Sequence, residues 1–301
     1  MSHAADEIAS QPACWQEAAA GAQALTRALP PPGARVAAVG CGTSHNLARV
    51  YAALRERCGA GETDAFVSSE MPELRRYDHY VFFSRTGTTT ETLQAQRAVA
   101  GRAPTTAVTA AAQAPLGREA DHLVDVGFAD ERAVIQTRFF TSAVVLCRAS
   151  LGEDVSALPA AAQEALDAPL PDGALDARLL TFLGERWCAA LAEEATLKCR
   201  ETAQVWAEAH QAMEYRHGPI SLAEPGVLVW CLGPPPAGIA DEVRATGASF
   251  ACATRDPLAE VVRVQRLALA RAERRGLDPD APRHLRHSIV LTSAAAAPGM
   301  R

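Results

Sequence analysis

Residues Tyr80 to Thr92 read YVFFSRTGTTTET, and the fold turns on how this stretch is read. The apolar run Val81–Phe83 suits a strand buried on both faces. It stops at a string of hydroxyls, Ser84, Thr86, Thr88, Thr89 and Thr90, set around Gly87. The same design stands upstream in RVAAVGCGTSHN, residues 35–46: an apolar strand, a glycine turn with hydroxyls, then helical periodicity. A helix amino terminus leaves backbone N–H groups unpaired and carries partial positive charge. Glycine lets that backbone approach a ligand, and hydroxyls add donors, so both turns read as anion cradles. Ordinary helix capping explains one Ser or Thr per turn, but these turns hold more hydroxyls than a cap uses. Neither is a Walker loop or a GxGxxG fingerprint, since no lysine follows the glycine and no acidic residue sits at dinucleotide spacing.

Working outward, strands are expected at RVAAVG, DAFVSSE, HYVFFS, TTAVTA and HLVDVG, with helices from about Asn46 to Cys58, Thr89 to Ala100 and Thr137 to Leu151. Such alternation predicts an α/β fold with a parallel sheet covered on both faces. Residues 1–34 read as an Ala-rich helical segment closed by Pro30–Pro32, and residues 35–151 as a first doubly wound lobe. Residues 152–175, rich in Ala, Pro, Asp and Gly, read as a part-helical linker. Residues 176–301 then start again with RLLTFLG, a helix from Trp187 to about Thr202, strands VLVWCLG and ASFACAT, and an amphipathic helix closed by Gly276. The expectation is two open parallel-sheet lobes related by a weak internal duplication.

Composition narrows the function. The chain of 301 residues is 49% hydrophobic and carries a formal charge of −6, with no long basic run, which disfavours nucleic acid. No apolar stretch is long enough for a membrane span, and the acidic start MSHAADEIAS is unlike a secretory signal. Eight cysteines without a CxxC pair suit reduced thiols in a cytoplasmic protein, and the pair His284/His287 lacks further ligands, so no metal is expected. Of 29 basic residues one is lysine, Lys198, which reads either as a place where an ammonium serves and a guanidinium does not or as chance retention on a solvated helix face. Lys198 and Glu201 share a helix face, with Glu194 one turn earlier. A carboxylate within reach of an ammonium can take an acidic C–H proton beside a carbonyl, although a surface ion pair gives the same spacing. Gly218-Pro219 is expected to end the next helix, leaving His217 exposed at its end.

GCGTSHN (40–46), SRTGTTTET (84–92), LKCRETAQVWAEAHQAMEYRHGP (197–219) and PRHLRHSIVL (282–291) together resemble the sugar isomerase (SIS) domain family. The likeness runs from about Arg35 to Thr292, to the tandem-domain kind found in the isomerase half of glucosamine-6-phosphate synthase and its stand-alone relatives. It implies that Thr43, Ser44, Ser84, Arg85, Thr86 and Thr89 hold a sugar phosphate, with Gly42 in the same turn. Glu201 would shuttle a proton between C1 and C2, Lys198 would sit beside it, and His217 would assist ring opening from across a homodimer interface. Arg85 stands where the synthase has Gln and would add positive charge at the phosphate. Gln136 replaces a substrate-contacting Ser, and His287 replaces a near-terminal lysine of ring opening. Only about 35 residues precede the first strand, so a glutaminase domain is not expected.

The leading expectation is a sugar-phosphate isomerase or amino-sugar deaminase working without a cofactor. The alternatives are an amine lyase or deglycase acting on a sugar phosphate, and a sugar-phosphate-binding regulatory protein without turnover.

Overall fold

A computed structural model describes residues 2–291, so Thr292 and the rest of the second expected lobe to 301 lie outside the described residues. Two parallel sheets form the frame. The first contains β1 (Val36–Gly40), β2 (Thr63–Val67), β3 (His79–Phe83), β4 (Thr105–Thr109) and β5 (His122–Asp125), in the order 2-1-3-4-5. The second contains β6 (Leu179–Gly184), β7 (Ala207–Gln211), β8 (Val227–Cys231) and β9 (Ser249–Cys252), in the order 7-6-8-9. Every strand pair is parallel. Both sheets therefore begin alike, the second strand lying outside the first and the third crossing to its other side.

The central strands β1, β3, β4 and β8 are buried along their whole length; β1, β3 and β8 are accordingly mostly apolar, while β4 buries three threonines whose hydroxyls are hydrogen-bonded. The edges differ. β7 reads Ala-Glu-Ala-His-Gln and is only partly buried. In place of the helix expected before His217, the chain runs through this edge strand and a 3₁₀ turn, Glu214–Arg216. His217 follows that turn, with Gly218 at φ 129° behind it.

Helices α1 (His3–Ala9) and α2 (Gln11–Leu25) lead in; α3 (Thr43–Arg57), α4 (Thr90–Val99), α5 (Pro115–Glu119) and α6 (Arg138–Ser150) belong to the first sheet. Then come α7 (Leu158–Asp167), α8 (Trp187–Ala203), α9 (Ile239–Ala245) and α10 (Pro257–Arg274). One apolar core joins the sheets, running from Trp15 and Phe140 through Phe182 and Leu191 to Trp230 and Leu267. Arg148 of α6 adds a polar tie, gripping the Asp256 carboxylate at the α10 N-cap with bonds of 2.8 and 2.7 Å.

For the site, what matters is that α3 packs against α8. Each of these helices follows the first strand of its sheet, and each begins with the same unusual turn. Gly42 has φ 55°, ψ −126° and Arg186 has φ 54°, ψ −124°. A glycine occupies that conformation freely; an arginine there is strained. Among the described residues no helix is long and apolar enough to cross a membrane.

Candidate functional site

In the first sheet the strand order reverses direction between β1 and β3, and in open parallel sheets ligands bind at the carboxyl edge of such a switch point. The loops leaving these two strands are the glycine-hydroxyl turns 41–43 and 84–89. A cavity of about 190 Å³ opens there, and α8 and the carboxyl-terminal strap 285–289 close its other sides. Neither Gly42 nor Thr89, the N-cap residues of α3 and α4, makes a side-chain capping bond, so the Thr89 hydroxyl is not used as a cap.

Several residues singled out in the sequence meet at this cavity: Gly42, Thr43 and Thr89 from the two turns, and Gln136 from the segment before α6. Lys198 and Glu201 reach it from α8, and His287 from the strap. Ser44, Ser84, Arg85, Thr86 and His217 do not line it. Ser84 is buried, and its hydroxyl accepts from the Gly87 N–H at 3.2 Å. Thr86 and Thr88 point their hydroxyls at Ser288 of the strap, at 3.2 and 2.9 Å. The strap also accepts the Thr90 N–H on the Ile289 carbonyl at 3.1 Å, so it lies over the first turn of α4.

Arg85 departs furthest from expectation. Its guanidinium turns inward to Glu131 at 3.3 Å, both side chains having 0% exposure, and donates to the Ala133 and Val134 carbonyls. Glu131 in turn accepts the Thr137 and Arg138 N–H groups and the Thr137 hydroxyl at the start of α6. The extra positive charge expected at the anion turn is instead balanced inside the protein, as a buried charge requires. Arg85 Nη2 also lies 3.1 Å from His287 Nδ1, and burial together with this guanidinium pulls the imidazole below its usual range.

The working centre is built on α8. Lys198, 1% exposed, places its ammonium 2.6 Å from Glu201, 3.3 Å from Glu194 and 3.0 Å from the Thr43 hydroxyl. Thr43 thus accepts from Lys198 and donates to Glu194 at 3.1 Å, while Asn46 donates to the other Glu194 oxygen at 2.9 Å. Glu194 has 0% side-chain exposure; burial pushes its carboxyl up to about 7 despite the neighbouring ammonium. Burial pulls the Lys198 ammonium down, but its two carboxylates outweigh that and raise it. Glu201 is the member of this set that faces outward, with 21% exposure of its side chain. A carboxylate at the cavity wall, an ammonium behind it and two helix amino termini opposite can hold an anion and exchange a proton with carbon beyond it.

The roles of two participants were not legible in the sequence. Glu194 was noted for its spacing, but its tie to Asn46 spans 148 residues and leaves no local signal. Arg286 lines the cavity as an exposed cation, and only its place in the PRHLRHSIVL stretch hinted at it. His217 lines neither this cavity nor the adjoining one that Glu201 also borders. Among the described residues no cluster of three metal-ligating side chains is found.

No protein-family model matches the chain. The chain is 27% identical to a glutamine–fructose-6-phosphate aminotransferase (isomerizing) of Methanothermobacter thermautotrophicus, over 85% of this chain and 52% of that protein. It is 29% identical to the enzyme of the same name from Symbiobacterium thermophilum, with the same coverage. The chain thus spans about half the length of the curated relatives it matches. Among solved structures, a glucosamine-6-phosphate deaminase from Thermotoga maritima superposes with a TM-score of 0.81 at 26% identity, covering 96% of this chain and all of that one. A tagatose-6-phosphate ketose/aldose isomerase from Escherichia coli shares the fold, with a TM-score of 0.78 at 17% identity over 96% of each chain. The chain therefore has the SIS-type fold of the phosphosugar isomerases and is homologous to the isomerase portion of the glutamine–fructose-6-phosphate aminotransferases.

Proposed function

We propose that this protein is a sugar-phosphate isomerase or amino-sugar deaminase that moves a proton between C1 and C2 of its substrate. The observation that carries this reading is Glu201 at the wall of the switch-point cavity, 2.6 Å from Lys198 and across from the amino termini of α3 and α4. The phosphate would lie against Gly42–Thr43 and Thr89, with Ser288 of the strap and Arg286 within the same wall. Fixing the phosphate there orients the distant carbons, so binding energy remote from the reaction lowers its barrier. Glu201 would take the proton from one carbon and return it to the next through an enediol or enolamine. Lys198 would balance the carboxylate charge and hold its rotamer. Thr43 serves this centre through its bond to Lys198 rather than by giving its hydroxyl to the phosphate.

We read the chain as two units of one design, 35–151 and 176–301, joined across 152–175. Support comes from the equal strand order at the start of both sheets and the equal backbone angles at Gly42 and Arg186. Since His217 lies outside the cavity of its own chain, a role in ring opening requires the homodimer that the resemblance implies.

A thermal-shift screen of hexose and hexosamine phosphates, followed by turnover assays on the stabilising compounds, tests the reading. Stabilisation by a sugar phosphate with ketose–aldose conversion or ammonia release supports it. Stabilisation without turnover would make the protein a binding module.

A further inference from the structure

Arg85 belongs to the second anion turn but does not line the cavity, and one edge of its guanidinium faces the carboxyl-terminal strap. We infer that Arg85 is a positioning residue: it seats the strap over the cavity and so brings Arg286 and Ser288 to the phosphate, instead of meeting the phosphate itself. This inference rests on the phosphate placement given above and adds what completes that site.

The strap has little of its own to hold it. From Leu285 to Leu291 it forms neither helix nor strand, and its hydrogen bonds run chiefly to residues 85–90. Thr86 and Thr88 meet the Ser288 hydroxyl, the Thr90 N–H reaches the Ile289 carbonyl, and the Leu291 N–H donates to the Thr90 hydroxyl at 2.8 Å. These are neutral bonds at partly buried or exposed groups, where water competes. Arg85 differs. From a side chain with 0% exposure, its Nη2 donates to the His287 carbonyl at 3.3 Å and lies 3.1 Å from the ring nitrogen Nδ1. A charged donor makes a bond roughly twice as strong as a neutral one. The guanidinium is also fixed from behind. Glu131 and the Ala133 carbonyl hold Nη1, and a Glu7 carboxyl oxygen from α1 pins that loop by accepting the Arg132 and Ala133 N–H groups.

The cavity needs the strap for its charge. Its lining includes one lysine and one arginine, and Lys198 is already engaged by Glu194 and Glu201. Arg286 has no hydrogen-bond or ion-pair partner among the described residues, so its guanidinium is the one free to meet an anion there. A phosphate at the α3 and α4 termini therefore gains that counter-charge only while the strap is seated. Apparent affinity then falls in proportion to the seated fraction.

The test uses the full chain, with trypsin as the probe of the strap and fructose 6-phosphate in deuterium oxide as the probe of the site. Arg85→Lys keeps a cation facing Glu131, but a single ammonium cannot fork to Glu131 and His287 together. Trypsin cleavage after Arg286, with no ligand present, should quicken about tenfold in this variant. KM for deuterium exchange should rise about tenfold, as a seated fraction of about one in ten requires, with kcat held within about twofold. His287→Ala should raise KM in the same direction, and the double variant should show less than the product of the two effects, because both weaken one contact. Arg85→Gln paired with Glu131→Gln leaves no buried charge alone and should give the same rise in KM, which covers a lysine variant that folds poorly. An unchanged trypsin rate or an unchanged KM in Arg85→Lys would overturn the inference, since charge at position 85 would then suffice. Effects that multiply fully in the double variant, or a loss carried by kcat, would also overturn it. If the wild-type protein exchanges no deuterium, the reading of Glu201 fails, and cleavage after Arg286 alone decides whether Arg85 seats the strap.

Discussion

Replacing Glu194 by Gln probes the centre through stability, without need of a substrate. The Glu194 carboxyl is driven from 4.5 to about 7 by burial, against the pull of Lys198, Asn46 and Thr43. A raised carboxyl binds its proton more tightly in the folded chain than in the unfolded one. Its contribution is therefore complete below pH 4.5 and is lost as pH rises through about 7. At about 1.4 kcal/mol per unit the swing amounts to about 3 kcal/mol. Other carboxyls add in the same sense, among them Glu7, which burial also raises. Subtracting the Glu194→Gln profile from the wild-type profile cancels them. Urea unfolding at half-unit steps from pH 4.5 to 8.5 supplies both curves. The difference between wild type and variant should move by about 3 kcal/mol in the variant's favour across that span. Parallel curves would show that Glu194 carries no displaced proton and would refute the account of the buried cluster.

Lys198→Met leaves Glu194 buried without its cation and should cost about 3–5 kcal/mol by chemical denaturation. Arg85→Met strands Glu131 in the same way and should cost a similar amount, with amide exchange quickening around 131–138. Gly42→Ala meets no steric obstacle, since a Cβ there finds nothing within 4 Å, yet it must hold φ 55°. It should cost about 1–3 kcal/mol, and Arg186→Gly should recover part of such strain in the second unit.

How far the sequence reaches can be judged from particular elements. The central strands were legible because burial on both faces leaves little besides Val, Ala, Phe and Leu, as in β1 and β3. β7 was not, because an edge strand exposes half its residues, and Ala-Glu-Ala-His-Gln spells a helix as readily. The helix expected before His217 failed for that reason. The glycine-hydroxyl turns were readable as helix starts after strands, but their place at a switch point and the direction of each hydroxyl were not. Ser84 closes its own loop, Thr86 meets a strap some 200 residues away, and Thr43 answers to α8. Arg85 faces inward because Glu131, 46 residues on, is buried opposite it, a pairing with no local trace. The Lys198–Glu201 pair was legible because both partners lie on one helix, where spacing is contact.

The central claim is that Glu201 carries hydrogen between adjacent carbons of a sugar phosphate. Incubating the protein with a phosphorylated ketose or ketosamine in deuterium oxide and following the C1 and C2 proton resonances tests it most directly. Wild-type protein should exchange solvent deuterium into those positions, and Glu201→Gln should slow exchange on the order of 10²–10⁴-fold while still binding the compound. Exchange at the wild-type rate in Glu201→Gln would contradict the account.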